Sequence, residues 1–223
     1  MSNSIMNLDK YKKDILSFKS KVASSGCKYN AETWSKLSAP HKKLIADFKE
    51  KTITRAHVIK AYEDYYKNGK DVLRPFLLTM IWGFSDTGYG TYRTNKYIVS
   101  KDNLKLIKES VDAVKLNDIE TAFAKLKKIK GLGISYISKV LYFASKAAGN
   151  KDYVLIFDIR VARSLININT DKDVADLVNI YPSSKHEDYN KYNKLMHVVA
   201  KKYKVDADVI ELFLFDLNKN DNE

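Results

Sequence analysis

Apolar positions along the chain recur mostly at helical spacing, and the polar residues between them punctuate a succession of helices. Asp9 to about Ala23 carries Tyr11, Ile15, Leu16 and Phe18 roughly on one face. Ser38 followed by Pro40 predicts a second helix through Leu44, Ile45 and Phe48, in the cap-then-proline order that helix starts prefer. Thr54 caps a third, which carries Val58, Ile59, Tyr62 and Tyr65 and stops at Asn68-Gly69. LRPFLLTMIWGF is almost wholly apolar and belongs in the core. It runs into FSDTGYGTYR, read as a loop with two glycines. Ser100 and Asp118 read as N-caps of the next two helices, Thr170 and Ser184 begin two later ones, and VDADVIELFLFDL closes the chain. Only YVLIF looks like a strand, and a lone strand cannot found a sheet. The expected fold class is all-α, with no internal repeat and no obvious linker.

Composition narrows the class of protein. With 223 residues, 45% of them hydrophobic, the chain has enough for one sizeable core or for two small lobes sharing a cleft. Its formal charge of +12 points to a polyanionic partner. The charge is also concentrated. Nine basic residues face only Asp152 and Asp158 between Thr121 and Leu165. That is a net +7, where an even spread would give about +2, as a nucleic-acid footprint would. Cys27 is the only cysteine, so an intrachain disulfide, a Cys-rich zinc site and an iron–sulfur cluster all lack their ligands. The opening MSNSIMNLDKYKKDI has no continuous apolar core, and no apolar run is long enough to cross a membrane. The expectation is a soluble cytoplasmic protein with no membrane partner and no obligate protein partner.

The basic segment contains the candidate chemistry. LKKIKGLGISYISKVLYFASK reads as two helices joined by Gly131-Leu132-Gly133, whose glycines allow positive φ and close backbone approach while Leu132 plugs the groove between the helices. The amides of Gly133, Ile134 and Ser135 then open a helix N-terminus, where unpaired N–H groups and a positive dipole favour an anion such as a DNA phosphate. Lys128, Lys130 and Lys139 add attraction. Further on, Asp158 follows the apolar run Val154 to Phe157 and precedes a helical pattern through Val161 and Leu165, so it reads as an N-cap held in its ionised form.

From the hairpin to VLIFDIRVARSL, this stretch resembles the helix-hairpin-helix DNA glycosylase superfamily. It is most similar to the bacterial branch resembling 8-oxoguanine glycosylases. The close likeness covers about forty residues, and a looser one reaches WGFSDTGYGTYR upstream and HEDYNKYNKLMHVVAKKY and DVIELFLFDL downstream. The resemblance implies a two-lobed helical fold with the active-site cleft between the lobes. Residues 1–100 with the C-terminal helices 184–223 would form one lobe, and residues 101–183, with the hairpin and Asp158, the other. It implies that Asp158 is the catalytic carboxylate, stabilising positive charge on the sugar as the N-glycosidic bond breaks. Bifunctional members carry a lysine nucleophile two residues after the second hairpin glycine. Here Ser135 stands there, which implies a monofunctional enzyme that leaves an abasic site, unless Lys139, one turn on, substitutes. No cofactor is implied beyond a structural K+ or Na+ at the main-chain carbonyls of Lys127, Ile129 and Leu132.

Such an enzyme acts on double-stranded DNA and flips its target base into an apolar or aromatic pocket. Two aromatic-rich groups are candidates: Trp82, Phe84, Tyr89, Tyr92 and Arg93 after the buried helix, and Phe213, Phe215 and Asp216 near the C-terminus. Trp82, Phe213 and Phe215 read more readily as core residues. The base is an oxidised purine such as 8-oxoguanine or a phage hypermodified base such as glucosylated hydroxymethylcytosine, with Asp86, Thr87 and Arg93 as polar partners for its sugar. The second alternative would turn repair into antiviral defence. A non-catalytic DNA-binding module built on the same hairpin is the rival from another class.

Overall fold

The computed structural model describes residues 6–49, 51–69, 71–85, 88–168 and 182–217. Among them are eleven α-helices: α1 (Lys12–Ser17), α2 (Ala39–Leu44), α3 (Arg55–Asn68), α4 (Leu73–Phe84), α5 (Gly90–Ile98), α6 (Lys101–Lys115), α7 (Ile119–Lys127), α8 (Ile134–Ala147), α9 (Ile159–Ile168), α10 (His186–Tyr203) and α11 (Ala207–Leu217). Among the described residues the fold is all-α apart from one antiparallel ribbon of β1 (Gly26–Lys28) and β2 (Thr52–Thr54), in which Cys27 faces Ile53. Three residues are too few for alternation to show in a sequence, and the ribbon was not expected.

Most helix starts fall where the caps place them. The Thr54 hydroxyl accepts from the His57 amide while the His57 ring accepts from the Thr54 amide, a reciprocal box that opens α3. Ser100 and Asp118 accept from the amides of Asn103 and Thr121, opening α6 and α7. Pro40 sits in the first turn of α2. Three expectations are corrected. The first helix is short, because after α1 the amides of Lys19 and Lys21 bond carbonyls three residues back and the Ser17 hydroxyl engages the Asp14 carbonyl. The second breaks at Ile45 into a 3-10 turn over Ala46–Phe48. GTYR is helical rather than loop. It opens α5, whose buried stripe is carried by Thr91, Thr94, Tyr97 and Ile98, half of it polar by composition. The helix expected from Ser184 begins at His186, and the one expected from Thr170 lies outside the described residues.

Two compact units emerge. One comprises residues 23–153, the other residues 1–22 with 154–223. In the unit of residues 23–153, α8 is the central helix: Ile137 to Ser145 are all buried, with Pro75 to Ile81 of α4 buried likewise. The Tyr66 hydroxyl of α3 lies between the carbonyls of Val111 in α6 and Ala144 in α8, at 3.1 and 3.3 Å. In the other unit α11 packs on α1, α9 and α10, and the Ser164 hydroxyl of α9 donates to the Leu214 carbonyl at 2.6 Å.

Candidate active site

Within the unit of residues 23–153, α7 and α8 form the expected hairpin. The Ser110 hydroxyl of α6 donates to the Ala122 carbonyl of α7 at 2.9 Å, and Lys125 pairs with Glu109 at 2.6 Å, so the first hairpin helix is tied down by side chains. At the turn, the Leu132 amide bonds the Ile129 carbonyl, and Leu132 is buried. Gly131 has φ +86°, in the left-handed region that favours glycine. Its carbonyl accepts from the Tyr97 hydroxyl at 2.8 Å. Burial raises the Tyr97 phenol above its ordinary value. Gly133 caps α8 in an extended conformation, and its carbonyl accepts from Tyr136 and Ile137.

Beside the turn lies a pocket of about 600 Å3 whose walls come from α5, α6 and the hairpin. Arg93 and Lys96 of α5 and Lys128 and Lys130 of the hairpin line it, together with Tyr92, Tyr97, Asn103 and Gly131. All four cations are exposed, and no carboxylate lines the pocket. Lys96 lies over the Tyr92 ring at 4.4 Å. The structure thus brings together Tyr92 and Arg93, expected at a base pocket, and Lys128, Lys130 and Gly131, expected at a phosphate. Lys96, Tyr97 and Asn103 were missed. The spacing of Arg93 and Lys96 would have shown them, had the stretch been recognised as helical.

The other aromatic candidates do different work. The Trp82 indole donates to the Ser25 carbonyl at 3.2 Å and meets Phe143 edge-on, with the Arg55 guanidinium over its ring. Phe84 stacks on Tyr136 at 4.1 Å and is buried, whereas Tyr89 is exposed. Phe213 is buried against Tyr11 and Phe18, and Phe215 lies under Arg160 at 4.9 Å. Phe213, Phe215 and Asp216 belong to the unit of Asp158, Trp82 and Tyr92 to that of the hairpin. Asp86 and Thr87 lie outside the described residues.

Lys139 is not a solvated lysine. It is 4% exposed, and its Nζ turns back along α8 to the Ser135 hydroxyl at 2.7 Å and the Ser135 carbonyl at 3.2 Å. Gly83 of α4 makes the space: a Cβ there would stand 2.9 Å from Lys139 Cδ and 3.1 Å from Tyr136 Cε1. The ammonium therefore sits in the first turn of α8, beside Ser135.

Asp158 directly precedes α9. Its Oδ1 accepts from the Arg160 amide at 3.2 Å and its carbonyl from the Ala162 amide at 3.0 Å, which is N-cap geometry. The carboxylate is half-buried. The residues before it, Val154–Phe157, belong to no helix or strand. Instead α10 satisfies them: Asn193 Oδ1 accepts from the Leu155 amide at 2.7 Å, and the hydroxyls of Tyr189 and Tyr192 donate to the carbonyls of Leu155 and Ile156 at 2.7 and 2.8 Å. Phe157 stacks on Tyr192 with centroids 4.2 Å apart. Among the described residues no group of His, Cys, Asp and Glu is arranged to hold a metal ion, and no helix is long and apolar enough to cross a membrane.

A basic, helical protein with a lysine-lined hairpin and a capped aspartate has the parts of a DNA-acting enzyme. The chain belongs to the family described as "Putative 8-oxoguanine DNA glycosylase OGG-like protein", which it matches over residues 20–215. That span contains both the hairpin and Asp158, and membership implies DNA as the partner. No curated protein and no solved structure matches the chain significantly.

Proposed function

We propose that the protein is a monofunctional DNA glycosylase of the helix-hairpin-helix type, which excises an oxidised guanine and leaves an abasic site. The observation that carries the reading is Asp158, a half-buried carboxylate tied into the start of α9 inside the matched span. In this reading the first-turn amides of α8, with Lys128 and Lys130, hold a backbone phosphate. The flipped nucleotide presents its anomeric carbon to Asp158. As the N-glycosidic bond breaks, the electron pair leaves with the base and the sugar gains oxocarbenium character, which the carboxylate stabilises. Water then adds at the anomeric carbon and gives up a proton, which neutralises the departed base. Tyr92 and Arg93 contact the bases opened by flipping. The main-chain carbonyls of Lys127, Ile129 and Leu132 would hold a monovalent cation, the Ile129 carbonyl accepting from the Leu132 amide as well.

One observation favours a second reading, the 2.7 Å contact between Lys139 Nζ and Ser135 Oγ. It puts an amine close to where bifunctional enzymes keep their nucleophile, so Lys139 would attack the anomeric carbon and form a Schiff base.

Both readings are tested on duplexes carrying 8-oxoguanine or glucosylated hydroxymethylcytosine, with released bases measured by mass spectrometry. We expect free 8-oxoguanine, alkali-dependent strand cleavage, and a loss of about 100-fold or more in Asp158→Asn. Borohydride trapping that disappears in Lys139→Ala would establish the lyase instead. Release of only the glucosylated base would reassign the substrate. If no base is released and Asp158→Asn binds DNA like the parent, the protein is a binding module.

A further inference from the structure

The segment Val154–Phe157 is buried from end to end and belongs to no helix or strand. A buried backbone without a ladder must find its partners elsewhere, because each unmet amide or carbonyl carries a desolvation penalty. Here three polar groups of two adjacent residues, Leu155 and Ile156, are met by side chains of one helix. Tyr189, Tyr192 and Asn193 stand at i, i+3 and i+4 of α10, on one face, and engage the Leu155 amide, the Leu155 carbonyl and the Ile156 carbonyl. Asn193 is itself oriented, since its amide nitrogen donates to the Tyr189 carbonyl at 2.8 Å. The next residue, Phe157, lies nearly parallel to Tyr192, with 13° between the rings. Directly after it comes Asp158.

We propose that Tyr189, Tyr192 and Asn193 are positioning residues for Asp158, holding the segment that delivers its carboxylate to the start of α9. The proposal rests on the reading of Asp158 as the catalytic carboxylate and adds what fixes it in place. Strand pairing would fix such a segment through backbone bonds indifferent to sequence. Three side chains from α10 do so here, so the placement of the carboxylate depends on the register of that helix. A displacement of about 1 Å at a reacting group is enough to cost about 100-fold in rate.

The test uses Tyr192→Phe, Tyr189→Phe and Asn193→Ala in the full chain, on whichever duplex of the panel the parent cuts. Single-turnover excision should fall about 10- to 100-fold, with duplex Kd unchanged. Asn193→Asp, which keeps an acceptor for the Leu155 amide, should recover part of the rate. Hydrogen exchange of peptides spanning Val154–Asp158 should quicken in the tyrosine and alanine variants. In an Asp158→Asn background the same substitutions should lower the residual rate no further, because they act only through that carboxylate. A merely structural role would give the same fractional loss in both backgrounds, and that result overturns the proposal. So do parent rates in all three variants. If those parent rates come with a strong loss in Asp158→Asn, the glycosylase reading survives and this proposal alone falls. Asp158→Asn cutting at the parent rate removes both.

Discussion

Gly131 shows how one residue decides the shape of the hairpin. Its left-handed φ would cost an L side chain about 1–2 kcal/mol, and its carbonyl is held by Tyr97, so the turn has little freedom to relax. Gly131→Ala should therefore lower the unfolding free energy by about 1–2 kcal/mol in urea denaturation, with an unchanged m-value. An unaltered midpoint would mean that the turn adopts another conformation at no cost. This role was legible in the sequence, because a Gly-Leu-Gly between two helical patterns has few other uses. Asp158 was legible for a similar reason: a short acid between an apolar run and a helix is a cap. Tyr189 and Tyr192 were not. An aromatic on a helix face has the same periodicity whether its ring merely packs or its hydroxyl donates to a distant carbonyl. Lys139 was half legible. Its spacing put it on the face of Ser135, but only the space left by Gly83 shows the side chain buried and turned back.

Elements are held to one another here by polar links as well as by apolar burial, and those links titrate. α7 carries the hairpin and is tied down at its start by the Asp118 cap and along its length by the Glu109–Lys125 pair. The amide of Thr121 holds the Asp118 carboxyl below its ordinary value of 3.8, and Lys125 holds that of Glu109 below 4.5. A carboxyl depressed by folding contributes stability that is complete above its unfolded value and lost as pH falls through the folded one. Acid should thus weaken α7 below about pH 4.5, the ordinary value of Glu109, and not in the neutral range. Thermal melts of the parent and of Glu109→Gln between pH 3 and 7 check this. The variant should melt lower at pH 7, and the two curves should converge toward pH 3. Curves that stay parallel would remove Glu109 from the account. At this scale the sequence was most misleading for α5, where threonine and tyrosine do the burying and a count of aliphatic residues sees a loop. It was right to refuse YVLIF a sheet, although the partners that replace the ladder lie some thirty-five residues further along the chain.

For the molecule as a whole, charge sets how it meets DNA. Of the excess of +12, +7 falls between Thr121 and Leu165, and the fold adds Arg93 and Lys96 from α5 to Lys128 and Lys130 at one pocket. None of these four is in an ion pair among the described residues. That distinguishes them from Lys60, Lys108 and Lys125, which are occupied by Asp64, Asp112 and Glu109. Cations that replace condensed counterions make log K fall linearly with log salt, by about 0.9 per phosphate neutralised. Replacing Arg93 and Lys128 together with alanine should therefore flatten the slope by about 2, and should weaken binding to unmodified duplexes of different sequence alike. Lys60→Ala, which removes a cation already paired on α3, should leave the slope unchanged. Fluorescence anisotropy across a salt series measures both. Equal slopes for the double variant and the parent would mean that DNA does not reach this pocket. The concentration of charge around the hairpin would then reflect solubility rather than a binding surface.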